Sequence, residues 1–122
     1  MVSFECDYIA GAHPEILKRL AETNMESLPG YGMDHYTESA KEKIKAACGL
    51  TDAQVEFLVG GTQTNAVVID ALLHATQGVI SAVTGHVAAH EAGAIEYTGH
   101  KVLTLPQHQG KLVAEEVEVY LK

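Results

Sequence analysis

Two clusters of residues in this sequence have the types and spacing that chemistry needs. The first is GGTQTN, Gly60–Asn65, where a short apolar run (EFLV) stops and a longer one (AVVIDALLH) follows. Two glycines let a backbone turn sharply and approach a ligand closely. A helix that starts there presents unpaired N–H groups and the positive end of its dipole. Thr62 and Thr64 add hydroxyl donors. Such a turn cradles an anion, usually a phosphate. The same residues also suit a plain glycine turn with a threonine cap, which satisfies the same N–H groups. No Gly-Lys-Ser/Thr follows, so this is not a Walker loop, and the order is not G-x-G-x-x-G.

The second cluster is GHVAAHEAGA, with His86, His90 and Glu91. His86 follows an apolar run, VISAV, at the carboxyl end where α/β sheets keep their ligands. His86 and His90 stand at i and i+4, which puts both on one face of a helix. That is metal-ligand spacing, but the H-E-x-x-H order is lacking and no third ligand is indicated, so no metal site is assigned. Two readings remain open: a pair of ordinary, partly exposed histidines, or an imidazole placed beside a bound cofactor. His13, His35, His74, His100 and His108 share no spacing and read as surface or capping residues. Glu115, Glu116 and Glu118 read as a solvated helix face. No Ser/His/Asp triad is visible.

The elements that must hold these clusters follow from periodicity. HPEILKRLAETN predicts a helix with Pro14 in its first turn and Ile16, Leu17, Leu20 and Ala21 on one face. MESLPGYGMD predicts a loop. HYTESAKEKIKAACG predicts a second helix, capped by Thr37 or Asp34 and ended by Gly49. Val55–Val59 predicts a strand, and Ala66–Ala75 a helix so apolar that it should be buried on several sides. Then come a strand at VISAV, a helix over HVAAHEAGAIEYTG, a strand at KVLTLP, a turn at HQGK and a helix over LVAEEVEVYLK. Strands alternating with helices imply an α/β unit with parallel strands.

The bulk properties narrow the function. The chain has 122 residues, 47% hydrophobic and 20% charged, which describes a globular domain and not a disordered one. Its formal net charge of −8 and lack of a basic face argue against nucleic acid. No apolar run is long enough for a bilayer. The start, MVSFECDYIAG, has no signal-peptide pattern. Cys6 and Cys48 form no CxxC pair and read as reduced thiols, so a cytoplasmic location is expected. The helical pattern runs on to Lys122 without a stop signal, which suggests truncation.

Taken together, the segments resemble the front part of low-specificity L-threonine aldolases. These are pyridoxal-phosphate (PLP) enzymes of the aspartate-aminotransferase fold, grouped with the β-eliminating lyases. FECDYIAGAHPEIL is similar to the family's opening segment, and YGMDHYTESA to its Tyr-Gly-Asp-Asp loop and following helix. GGTQTN resembles its Gly-Thr-x-x-Asn phosphate turn, and GHVAAHEAGA its His-x-x-x-x-Glu segment. GKLVAEEVEVYL fits the helix after the third strand. Five matches occur in the right order.

The resemblance implies a fold class, α/β, as part of an aspartate-aminotransferase-like large domain that is incomplete without downstream strands. Residues 1–54 would be an N-terminal helical segment and interface loop, and residues 55–122 the first part of the PLP-binding domain. Gly60, Gly61 and Thr62 would hold the PLP phosphate. His86 would stack on the pyridine ring and help in proton transfer, with Glu91 placing it or a water. Tyr31 and Asp34 would reach an active site at a subunit interface. Cys6 stands where the family commonly has a substrate-contacting serine, and a thiol is a weaker donor. Met33 replaces the first Asp of the family loop.

The implied reaction cleaves threonine, or a related β-hydroxy amino acid, to glycine and an aldehyde. Other relatives of the fold, an aminotransferase or a β-eliminating lyase, and a non-catalytic phosphate-binding domain are the alternatives. In the family the lysine that carries PLP, the acid near the pyridine nitrogen and the arginine for the substrate carboxylate all lie downstream. Here the one arginine is Arg19, and no lysine has a matching context. The chain alone should therefore be inactive. The remaining C-terminal part of the fold, as a separate polypeptide, and a homo-oligomer are the partners this implies.

Overall fold

The computed structural model of the chain describes Cys6 and residues 8–122. Residues 1–5 and 7, in the opening segment that carries part of the family resemblance, lie outside the described residues. The chain divides into two compact units, Met1–Val55 and Glu56–Lys122.

The first unit is helical. α1, Pro14–Thr23, has Pro at its start, where the missing N–H costs nothing, and the His13 imidazole accepts from the Glu15 N–H. α2, His35–Cys48, is fixed at both ends. Asp34 accepts from the Thr37 N–H at 2.8 Å and from the Thr37 hydroxyl at 2.6 Å. At the other end Gly49 is left-handed, its N–H meets Ala46 O, and the Leu50 N–H donates to Lys45 O. That is a Schellman ending, which glycine adopts without Cβ strain. Inside this unit Arg19 lies 5.7 Å from the Tyr36 ring centroid and donates to the Tyr36 hydroxyl, which donates to Glu26 at 2.8 Å. The carboxylate at that hydroxyl raises the Tyr36 pKa above its ordinary value. Arg19, the lone arginine, is thus engaged in packing α1 to α2.

The second unit begins with α3, Gly61–Leu72, followed by β1, Gly78–Ala82. Two single-turn helices come next, α4 (His86–Ala89) and α5 (Ala94–Tyr97), then β2, Lys101–Leu105, and α6, Ala114–Tyr120. β1 and β2 pair in parallel, from Gly78 opposite Lys101 to Ala82 opposite Leu105. A parallel pair needs a crossover, and α4 and α5 supply it. The backbones crowd at Gly78, where a Cβ would stand 2.6 Å from Lys101 O. Ile95 and Leu105 are the buried apolar side chains among the described residues. Gln109 and Gly110, both at positive φ, close the expected turn between His108 and Lys111.

Several expectations differ. Val55–Val59 forms no strand. A strand needs a neighbour for its N–H and C=O groups, and among the described residues none pairs with it. α3 begins at Gly61, five residues before the predicted start at Ala66, because helix geometry is already in place at the glycine turn. α3 buries none of its side chains, and Val67, Val68 and Leu72 are exposed. This unit covers α3 through α5 alone among its main packing partners. The helix expected over residues 86–99 is broken in two, with Ala92 and Gly93 at positive φ. No helix among the described residues is long and apolar enough to cross a membrane.

Candidate functional site

α3 starts on Gly60, whose backbone is fully extended, and no side chain caps it. Its hydrogen-bond ladder opens with the Thr64 N–H donating to Gly60 O at 3.0 Å. The Thr64 hydroxyl donates to the same oxygen, and the Gln63 amide oxygen accepts from the Val59 N–H. Thr64 and Gln63 are therefore spent on the turn itself. Thr62 is exposed, and around Gly60 and Gly61 a Cβ would meet nothing within 4 Å. Among the described residues no side chain caps the start of this 12-residue helix, so its first N–H groups have no side-chain acceptor there.

The break between α4 and α5 explains the second cluster. A continuous helix would keep Glu91 on the surface beside His90. The turn at Ala92 and Gly93 instead sends Glu91 inward, where its side chain is fully buried. Glu91 Oε1 accepts twice. His86 Nδ1 stands 2.7 Å away, and the Asn65 amide Nδ2 donates from 2.5 Å. Oε2 has no hydrogen-bond partner among the described residues. The His86 ring remains largely exposed, and the His90 ring centroid is 5.6 Å from it. So one buried carboxylate ties His86 to α3, one turn beyond the glycines.

The other sequence candidates fall in the first unit. Tyr31 has φ 61° and is fully exposed, in a turn where the Met33 N–H donates to Gly30 O. A tyrosine in that conformation is uncommon. Asp34 holds Thr37 as the cap of α2, and the Thr37 hydroxyl, then its N–H, lowers the Asp34 pKa below its ordinary value. Cys6 is half-buried, and both cysteines are free.

Sequence reasoning met Asn65 only as the last residue of the Gly-Thr-x-x-Asn turn and gave its side chain no partner. Its signal was position: an amide at the fifth residue of the helix, one turn past Gly61. It also misplaced two polar groups. His100, expected at the surface, is buried, with Nδ1 3.0 Å from Gln77 O and Nε2 3.2 Å from Asp70. Both α3 and the turn before β1 converge there, which a spacing rule cannot show. Glu116 is half-buried and bonds His108 at 2.9 Å, so the glutamate run is not uniformly solvated.

The chain belongs to the beta-eliminating lyase family, whose family model matches residues 3–122. Among its relatives is the low-specificity L-threonine aldolase of Pseudomonas aeruginosa, 32% identical over 116 residues, which cover 93% of this chain and 33% of that enzyme. The enzyme of the same description from a Pseudomonas species is 32% identical over 122 residues, covering 98% of this chain and 35% of the relative. A solved structure of Leishmania major threonine aldolase matches with a TM-score of 0.87 at 42% identity, over 93% of this chain and 33% of that one. The chain spans about a third of the length of the proteins it matches. The expected fold class therefore stands: an α/β part of the threonine aldolase fold.

Proposed function

We propose that this chain is the N-terminal portion of a PLP-dependent L-threonine aldolase that cleaves threonine, or a related β-hydroxy amino acid, to glycine and an aldehyde. The observation that carries the reading is the uncapped α3 N-terminus at Gly60–Thr62, joined through Asn65 and Glu91 to an exposed His86. The donors present fit a phosphate: unpaired N–H groups, an exposed threonine hydroxyl and no carboxylate at the cap. A buried Glu91 oxygen without a donor among the described residues also suits a site that a ligand completes.

Gly60, Gly61 and Thr62 bind the phosphate in this reading. Pyridoxal phosphate, when bound, serves as the sink for electrons developing at the amino acid's Cα. His86 would be the residue that moves a proton during cleavage, and Glu91 would hold it in place. Tyr31, strained and fully exposed on its loop, and Asp34 reach an active site shared between subunits, with Cys6 near the substrate. Residues 1–54 act as the helical segment and interface loop, and residues 55–122 as the first part of the cofactor-binding domain. The lysine, acid and arginine of the reaction come from the remaining part of the fold, as a separate polypeptide or a continuation of this one. The assembly is a cytoplasmic homo-oligomer. The sparse core supports this incompleteness, because α3 buries none of its side chains and no strand among the described residues pairs with Val55–Val59.

Two measurements test the reading. The denatured intact mass of everything in the purified sample is expected to reveal a second, larger polypeptide beside the 13.0 kDa chain, or a longer chain containing it. With that assembly, threonine is expected to yield glycine and acetaldehyde only when pyridoxal phosphate is present. Separately, inorganic phosphate titrated into the isotope-labelled chain is expected to shift the Gly61 and Thr62 amides first. Unmoved amides at saturating phosphate would sink the cofactor assignment.

A further inference from the structure

We propose that Asn65 is a positioning residue: it anchors Glu91 so that His86 is held as its Nδ1–H tautomer, with Nε2 left as the proton acceptor. The inference deepens the proposed function and rests on it for the use of that nitrogen, but its structural half stands on the hydrogen bonds alone.

The reasoning starts from donors and acceptors. An ionised carboxylate only accepts, and a side-chain amide nitrogen only donates. Asn65 Nδ2 therefore donates to Glu91 Oε1. His86 Nδ1, 2.7 Å from the same oxygen, must donate as well. A neutral imidazole carries one N–H, so its Nε2 keeps a lone pair. A free histidine in water favours the opposite tautomer. Reversing that preference requires the carboxylate to stay in place beside Nδ1. Glu91 sits in a four-residue connection between two single-turn helices, outside any regular element. Asn65 supplies the fixed point, since it belongs to the 12-residue α3 and is half-buried. The amide also chooses which oxygen is used. Oε1 takes both donors, while Oε2 takes none among the described residues. The bond further couples the two halves of the candidate site, because α3 is the helix whose N-terminus holds the phosphate in the proposed function.

The arrangement has the form of a base oriented by a third group. It differs from a purely structural bond in one respect: removing it changes where a proton sits on an exposed ring, not only how stable the fold is.

The test is the ring-nitrogen NMR spectrum of His86 in the full chain, without cofactor, at a pH where the ring is neutral. In the unsubstituted chain the Nδ1–H tautomer is expected to dominate. Asn65→Ala is expected to shift His86 toward the Nε2–H form, and Asn65→Ser, which keeps a short donor, to restore part of the difference. With Glu91→Ala already present, Asn65→Ala is expected to change nothing further at His86. Backbone amide shifts of β1 and β2 report whether each variant keeps its fold. A dominant Nε2–H form in the unsubstituted chain would overturn the proposal without any variant. So would an unchanged tautomer in a folded Asn65→Ala chain. Failure of the phosphate titration above would remove the cofactor and leave the tautomer result standing, so the two readings fail separately.

Discussion

The N-termini of α2 and α3 solve one problem in opposite ways. Each helix begins with N–H groups that have no acceptor within the helix. At α2 the protein closes the end itself, with both oxygens of Asp34 engaged by Thr37. At α3 the cap residue is Gly60, which has no side chain to offer, and the nearby polar groups of Gln63 and Thr64 bond elsewhere. The lesson is that an uncapped helix end beside spare space is a choice with a stability cost. A bound anion at such an end would offset that cost.

The sharpest way to break the contrast is to turn α3 into α2. Gly60→Asp is expected to lower phosphate affinity on the order of a hundredfold, through occupied N–H groups and like-charge repulsion. The same change should raise stability by a few tenths of a kcal/mol, as a better cap does. Amide-shift titration and urea unfolding read the two effects, and opposite signs are the diagnostic result. Thr62→Ala removes one hydroxyl donor to a charged group. It should weaken phosphate roughly tenfold, from about 1.5 kcal/mol of lost hydrogen bonding, and leave the unfolding midpoint nearly unchanged.

The C-terminal end of α2 sharpens the contrast from the structural side. Gly49→Ala forces a Cβ into the left-handed conformation there and should cost about 1 kcal/mol in helix stability, followed by circular dichroism during urea unfolding. It is expected to leave phosphate binding untouched.

The smallest effect is a titration. The bonds from Thr37 hold the Asp34 carboxyl below its ordinary value of 3.8. A depressed folded value means that the cap contributes fully above that ordinary value. The contribution is lost as pH falls through the lowered folded value. Amide exchange at Thr37 should therefore accelerate in that acid window, while Thr64, whose helix has no ionisable cap, shows no matching step. Equal acid responses at the two threonines would erase the distinction between a closed end and an open one.

How much of this was legible beforehand depended on range. Local signals were reliable: Pro14 starting α1, Gly49 ending α2, Asp34 as one of two candidate caps for its start, the turn at HQGK, and the apolar runs that became β1 and β2. Each depends on a few neighbouring residues and on backbone preferences those residues carry with them. The start of α3 was missed because glycine and threonine are poor helix formers, and propensity hid a helix that the turn had already begun. The order of family motifs was also legible, and it agrees with the relatives that match over nearly the whole chain.

Sequence by itself thus determined the family, the capped helices and the residue types gathered at the two clusters. Tertiary structure alone decided that the His86 helix breaks, that Glu91 turns inward, that Asn65 meets it across 26 positions of sequence, and that His100 is buried. It also decided that Val55–Val59 stays irregular despite a strand-like composition. The physical reason is shared. A cap or turn is satisfied by residues a few positions away, whereas a strand, a buried carboxylate or a held imidazole needs partners that only the folded chain brings within hydrogen-bonding distance.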